Sequence, residues 1–131
     1  MNYWIFQSVP DRYDLRDESN LHSNMDGWWY ATRYRKKMIP GDRVFFWMGG
    51  SAEFRGIYGV GEIASEPYLD GDSHKVKVHV TKRLSHHISA DEIKANTKLQ
   101  NLMILKIAIG SNFLVNDSEG KELDKLTNGG S

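Results

Sequence analysis

DGWWYATRYRKKMIPGDRVFFWMGGSAEFRGIYGVGEI, residues 26–63, is the stretch whose reading decides the fold. It holds three of the chain's four tryptophans and seven of its twelve glycines, and it brackets a basic run. Its parts predict, in order, helix, tight turn, strand, loop and strand. Thr32 has the side chain to cap a short helix over residues 33–38, which must end before Pro40 because the residue preceding a proline is driven out of the helical region. Pro40-Gly41-Asp42 then turns the chain. The run from Arg43 to Met48 is apolar on both faces, with Phe45 and Trp47 set against Val44, Phe46 and Met48. A strand with one wet face alternates, so this one is covered on both sides, by helices or by a sheet that curls into a barrel. On the next strand, Gly56 to Ile63, Gly59 and Gly61 repeat on one face. Glycine inside a strand marks a bend or a close approach. An aromatic strand beside an empty floor predicts a concavity, and that is where function is expected.

Working outward, Tyr3 to Ser8 is a β-branched and aromatic strand stopped at Val9-Pro10, and an apolar strand so near the terminus should be paired inside a sheet. Ser8 at its end can face a pocket or cap a turn. Residues 11–27 are polar and predict loop with one helical turn at most; an excursion of that length is more often functional than idle. Residues 66–72 are a turn region. Lys75 to Val80 places Val76, Val78 and Val80 inward and Lys75, Lys77 and His79 outward, as an edge or half-exposed strand does. Ser89 with Glu92 forms a capping box for a short helix over residues 90–95, and Thr97 to Leu102 continues it or starts another. The β-branched Ile104, Ile107 and Ile109 favour an extended segment at 103–109. Asn116 to Glu119 supplies caps for a final helix, and residues 129–131 should fray.

A chain of 131 residues, 40% hydrophobic and 26% charged, suits one soluble domain, here 1–128. No apolar run is long enough to span a bilayer, no cysteine provides a disulfide or thiolate ligand, and the first residues lack a signal-peptide pattern. A cytoplasmic protein without membrane contact is the expectation. Seventeen basic and seventeen acidic residues cancel, so any polyanion site is local. The basic side chains Arg33, Arg35, Lys36, Lys37, Arg43 and Arg55 gather in the opening stretch, and taken alone such a run reads as a solvated helix face before it reads as a polyanion site.

The histidines His74, His79, His86 and His87 have no ligand spacing, so no metal and no cofactor is expected. No nucleophile motif and no phosphate-binding glycine loop is present. Asp42, Glu53 and Glu62 are carboxylates without an evident partner. What remains is an aromatic site: Trp28 or Trp29, Trp47 and Tyr68, with Gln7 and Ser8 as hydrogen-bonding groups. Arg33, Arg35, Lys36, Lys37 and Arg55 would contact phosphates, and Gly59 and Gly61 would form the floor. Trp4 and Phe46 belong to the core.

The set Tyr3-Trp4-Ile5 with Ser8 and Pro10, Trp29 before a basic run, Pro40-Gly41-Asp42 leading into Phe46-Trp47, Gly56 to Ile63, and Gly110-Ser111-Asn112-Phe113 before a last helix resembles the EVE domain of the PUA-like superfamily. The resemblance covers nearly the whole chain. It implies an α+β fold, a curved and mostly antiparallel β-barrel of five or six strands flanked by short helices, related to the YTH and ASCH domains. It also implies a pocket that accepts a flipped modified base, of 5-methylcytosine, 5-hydroxymethylcytosine or N6-methyladenine type, in an aromatic cage. That cage would fall on Trp29 with Trp47 and Tyr68, with Ser8 on its lining. A non-enzymatic reader of modified DNA or RNA, working beside a separate nuclease or modification enzyme, is the leading expectation. A small ASCH-like hydrolase or nuclease using Glu53 or Glu62, and a protein-interaction adaptor, stand as alternatives.

Overall fold

The doubly apolar run is strand β3 (Arg43–Met48), at the middle of a seven-stranded sheet in a computed structural model that describes residues 1–129. The other strands are β1 (Tyr3–Ser8), β2 (Met25–Tyr30), β4 (Gly56–Ile63), β5 (Tyr68–Asp70), β6 (Ser73–Ser89) and β7 (Asn112–Val115). Three helices complete the fold: α1 (Ala90–Ala95), α2 (Met103–Lys106) and α3 (Asp117–Gly129). Residues 130–131, expected to fray, lie outside the described residues. Across the sheet the order is β2-β6-β4-β3-β1-β7, with β5 folded back on the start of β6. All pairs are antiparallel except β1 with β3, whose parallel pairing needs the long crossover that the chain makes through β2.

Both ways of covering β3 are realised. On one face Phe45 and Trp47 pack with Tyr3, Ile5, Ile93, Leu102, Ile104 and Leu123, so the helical layer closes that side. On the other, Val44, Phe46 and Met48 pack with Trp4, Phe6, Trp29, Val76, Val78 and Val80, residues of the sheet's own inner face. Register shifts at Phe46/Trp47 in β3 and at two places between β4 and β6 bend the strands, as bulges do.

The expected barrel is a curled sheet of seven strands rather than five or six, and it does not close. Its edges, β2 and β7, share no ladder among the described residues. One side chain spans the seam instead. Buried Asn112 donates from Nδ2 to the Tyr30 carbonyl at 2.9 Å, while its Oδ1 accepts from the Thr32 amide at 2.8 Å and the Thr32 hydroxyl at 3.2 Å.

Other expectations change in detail. Residues 25–30 form a strand, and the helix expected over 33–38 is a single 3-10 turn, Arg35–Lys37, whose preceding residue Tyr34 is left-handed at φ 61°. Thr32 caps nothing there, because its polar groups serve Asn112. The edge-type strand at Lys75 lies inside the sheet between β2 and β4: a strand with one wet face alternates identically at an edge or in the middle. Residues 103–109 begin with one helical turn, where burial of Ile104 outweighs its β preference; Ile107 after it is extended, and no strand forms. Both expected caps form, with Ser89 Oγ accepting from the Glu92 amide at 3.1 Å and Asn116 Oδ1 from the Glu119 amide at 2.8 Å; the reciprocal bond to the cap's own amide is made at Asn116, by Glu119, whereas Glu92 accepts from the Ser89 hydroxyl.

Candidate functional site

Where the seam between β2 and the end of β1 stays open, the surface falls into a concavity of about 1140 Å³. Its walls come from Gln7 and Ser8 at the end of β1, residues of β2, the excursion after β1, and the loop 108–111. Alternation along β2 turns Trp29 inward, where it is 9% exposed, and turns Trp28 and Tyr30 outward. The indole N–H of Trp29 donates to the Gln7 carbonyl at 3.1 Å. Its ring lies 5.4 Å from that of Phe46 and 6.1 Å from that of Phe6, and Tyr13 meets it edge-on at 6.5 Å. The ring is therefore oriented before any ligand arrives.

The neighbouring walls are pinned by long-range hydrogen bonds. Gln7 Nε2 donates to the carbonyls of Ala108 at 3.2 Å and Gly110 at 2.8 Å, and its backbone amide donates to Ser111. The Ser8 hydroxyl donates to the Tyr13 carbonyl at 2.6 Å, which leaves its lone pairs as acceptors on the pocket wall. The Tyr13 hydroxyl donates to the Asn20 carbonyl. Arg83 on β6 donates to the carbonyls of Leu15 at 2.7 Å, Leu21 at 2.8 Å and Arg16 at 3.3 Å, and so gathers the excursion against the sheet. Burial, and secondarily the Asp17 carboxylate, raise the Tyr13 phenol above its ordinary value. At the rim, Arg12 supplies a cation, whereas Asp26 pairs with His79 at 2.7 Å.

Of the residues singled out in the sequence, Gln7, Ser8, Trp28 and Trp29 come together here. Trp47 does not: it is 1% exposed on the helical side of β3, the opposite face from Trp29. Tyr68 lies on β5, outside the lining. Arg33 lines a separate cleft of about 80 Å³ with Tyr34, Met103 and Asn112, and Arg35, Lys36 and Lys37 form the exposed turn beyond β2. Arg55 precedes β4 and accepts the Ala90 amide on its carbonyl, beside α1.

The glycine floor is filled rather than empty. A Cβ at Gly59 would lie 3.0 Å from Leu21 Cδ2, and one at Gly61 would overlap the His79 carbonyl and meet the Phe46 ring. These glycines admit a neighbouring strand and core side chains, not a ligand. Asp42 is a structural carboxylate, 1% exposed, that accepts from the Asn2 amide, the Trp4 indole and the Ile39 amide. Glu53 and Glu62 are exposed and outside the concavity. Sequence reasoning missed Arg12, Tyr13, Asn20, Leu21 and the loop 108–111; the length of the polar excursion was the available signal.

The family model for the EVE domain matches residues 2–126. No curated protein matches the chain. Among solved structures, a hypothetical protein from Leishmania major is similar at TM-score 0.78 and 18% identity, over 98% of this chain and 96% of that one. Human THYN1 protein, in complex with DNA containing 5-methylcytosine, is similar at TM-score 0.75 and 16% identity, over 97% and 98% of the two chains. A ZmASCH protein from Zymomonas mobilis is similar at TM-score 0.59 and 10% identity, over 97% and 99%. At these identities the likeness to the solved structures is one of fold.

Proposed function

The chain belongs to the EVE domain family, and from that premise we propose that it binds nucleic acid by taking one flipped, modified base into the concavity beside Trp29. The observation that carries this reading is the fixed Trp29 ring, held by a hydrogen bond to Gln7 and by contacts to Phe6, Phe46 and Tyr13 at the wall of an open, mostly apolar cleft. The human THYN1 complex, with 5-methylcytosine DNA on the same fold, supports the ligand class. Flipping a base out of its stack costs a few kcal/mol, and stacking on an aromatic face returns about 1–3 kcal/mol per base.

Selectivity needs more than area. One buried methyl is worth about 0.8 kcal/mol, less than a tenfold preference. A pocket with fixed walls adds to this when the unmodified base traps a water that the methyl would displace. Trp29 is the stacking surface, Ser8 an acceptor for the base edge and Gln7 the residue that sets the facing loop. Arg12 at the rim and Arg33, Arg35, Lys36 and Lys37 beyond β2 are the phosphate contacts. The candidate ligands are 5-methylcytosine, 5-hydroxymethylcytosine and N6-methyladenine. Fluorescence anisotropy with oligonucleotides bearing these bases and their unmodified parents tests the reading: a preference for one base that Trp29→Ala removes is expected, and equal affinity for all of them overturns it.

A further inference from the structure

At the rim of the pocket, which Trp28 and Tyr30 both reach, the outward side of β2 carries a second aromatic surface beside the inward Trp29. Trp28 and Tyr30 point away from the inner core and are 48% and 39% exposed, large values for such side chains in strands. Their rings meet edge-on at 5.2 Å. Across β6, Lys75 stands in register with Tyr30 on one side and with Tyr68 on the other, so the three share a row on the outer face. The Lys75 ammonium sits 4.0 Å from the Trp28 ring centre and 2.8 Å from Asp70, which fixes the indole and answers the nearest acid. Lys77 lies opposite Trp28. Of the other nearby acids, Asp26 is already engaged by His79.

Two features orient this surface. It is continuous with the pocket, because Trp28 follows Gly27 on the rim and precedes Trp29 on the wall. It also leads to positive charge: the chain runs from Tyr30 into the exposed Arg33, Lys36 and Lys37 and the half-buried Arg35. Aromatic faces between a base pocket and a cationic turn match a strand whose bases stack and whose phosphates continue past them. Trp28 to Tyr30 advances about 6–7 Å along the strand, room for the one or two nucleotides next to the flipped base.

We propose that the outer face of β2, carried by Trp28 and Tyr30 with Lys75 and Tyr68 behind them, is a stacking platform for unpaired nucleotides flanking the base in the pocket. The favoured substrate is then single-stranded or locally opened nucleic acid. This rests on the pocket being a base site, and it assigns a separate, sequence-tolerant role to the outward aromatics. Base-specific preference stays with Trp29, and general affinity for strands comes from Trp28 and Tyr30.

The test uses the full chain and fluorescence anisotropy with three probes: a short single-stranded oligodeoxynucleotide with one central 5-methylcytosine, its unmethylated parent, and the methylated strand with abasic spacers on both sides of the central base. Trp28→Ala is expected to lower affinity for the first two probes equally, by on the order of tenfold, and to leave the abasic-flanked probe unaffected. Tyr30→Ala should weaken binding in the same direction. Both side chains are partly exposed and lie outside the buried core, and far-UV circular dichroism checks that the variants fold. Unchanged affinity in both variants, an equal loss on the abasic-flanked probe, or tighter wild-type binding of the first probe annealed to its full complement than of that probe alone overturns the platform. A wild-type chain with no preference between modified and unmodified strands overturns the pocket reading instead, so the two failures are distinct.

Discussion

Replacing Asn112 with alanine should loosen the seam of the sheet before it loosens anything else. The side chain is 2% exposed and makes three hydrogen bonds across the seam, one through Nδ2 to the last residue of β2 and two through Oδ1 to Thr32 just past it. Each such bond contributes about 0.5–1.5 kcal/mol net, and the substitution strands the Thr32 amide and the Tyr30 carbonyl as well. Thr32 is exposed and Tyr30 partly so, which lets water reach the orphaned groups and holds the cost toward the lower half of the summed range. The expected loss is about 2–3 kcal/mol, which for a domain of this size lowers Tm by roughly 6–12 °C. Urea unfolding gives the global figure, and amide hydrogen exchange gives its location: protection should fall first over Met25–Tyr30, while β1, β3 and β4 keep theirs. A loss below about 0.5 kcal/mol, the scatter of neutral surface changes, or exchange that rises uniformly across the sheet, would refute the idea that one asparagine stands in for a missing ladder.

Asp42→Ala should destabilise by about 2–3 kcal/mol in the same urea assay, because the buried Trp4 indole and the part-buried amides of Asn2 and Ile39 lose their acceptor together; a neutral outcome would make Asp42 a free carboxylate again. Gly61→Ala should cost at least about 2 kcal/mol, since its Cβ meets the fixed His79 carbonyl, whereas Gly59→Ala meets the movable end of Leu21 beside the Lys82 carbonyl and should cost less. Equal thermal shifts for the two variants would contradict the account of the filled floor. Arg83→Met removes three donors to the excursion, so limited proteolysis should cut within residues 11–24 many times faster than in the wild type while the sheet stays folded. An unchanged cleavage rate would show that the excursion does not depend on Arg83.

What was legible in the sequence was what local chemistry determines. The strands at Tyr3, Arg43 and Gly56 carry their own apolar pattern, and the caps at Ser89 and Asn116 are set by neighbours three residues away. The two faces of β3 were also separable by alternation, yet nothing local says which face meets the pocket, and Trp47 was assigned to the wrong one. β2 was hidden because a basic run after two tryptophans favours helix by propensity, and because the short edge strand is ordered by β6, about fifty residues further along. Once β2 is known to be a strand, alternation alone separates Trp29 from Trp28. The pocket walls were the least legible part: Gln7 reaches Gly110, 103 residues away, and Arg83 reaches Leu15, 68 residues away. No window of sequence contains both partners.

The open seam explains why the site is where it is. A complete β2–β7 ladder would pair the free backbone of β2 and place another strand across the cleft that now opens beside Trp29. Instead, Asn112 closes the seam past one end of β2, and the Trp29 indole ties its inner face to the Gln7 carbonyl, leaving an opening between two anchored walls. A base held there would touch β2 on one side and the loop 108–111 on the other, supplying contacts that the missing ladder does not. Binding should therefore stabilise the seam specifically. At ligand concentrations of 100 times Kd the gain is about 2.7 kcal/mol, and added amide protection should appear over Met25–Tyr30 and residues 108–111 rather than in the already paired β3 and β4. The same protection in the Asn112→Ala protein would separate the two latches, since a ligand that bridges the seam should restore part of what the asparagine provided. Protection confined to the turn at Arg35–Lys37, with β2 unchanged, would mean that the nucleic acid is held by its phosphates alone.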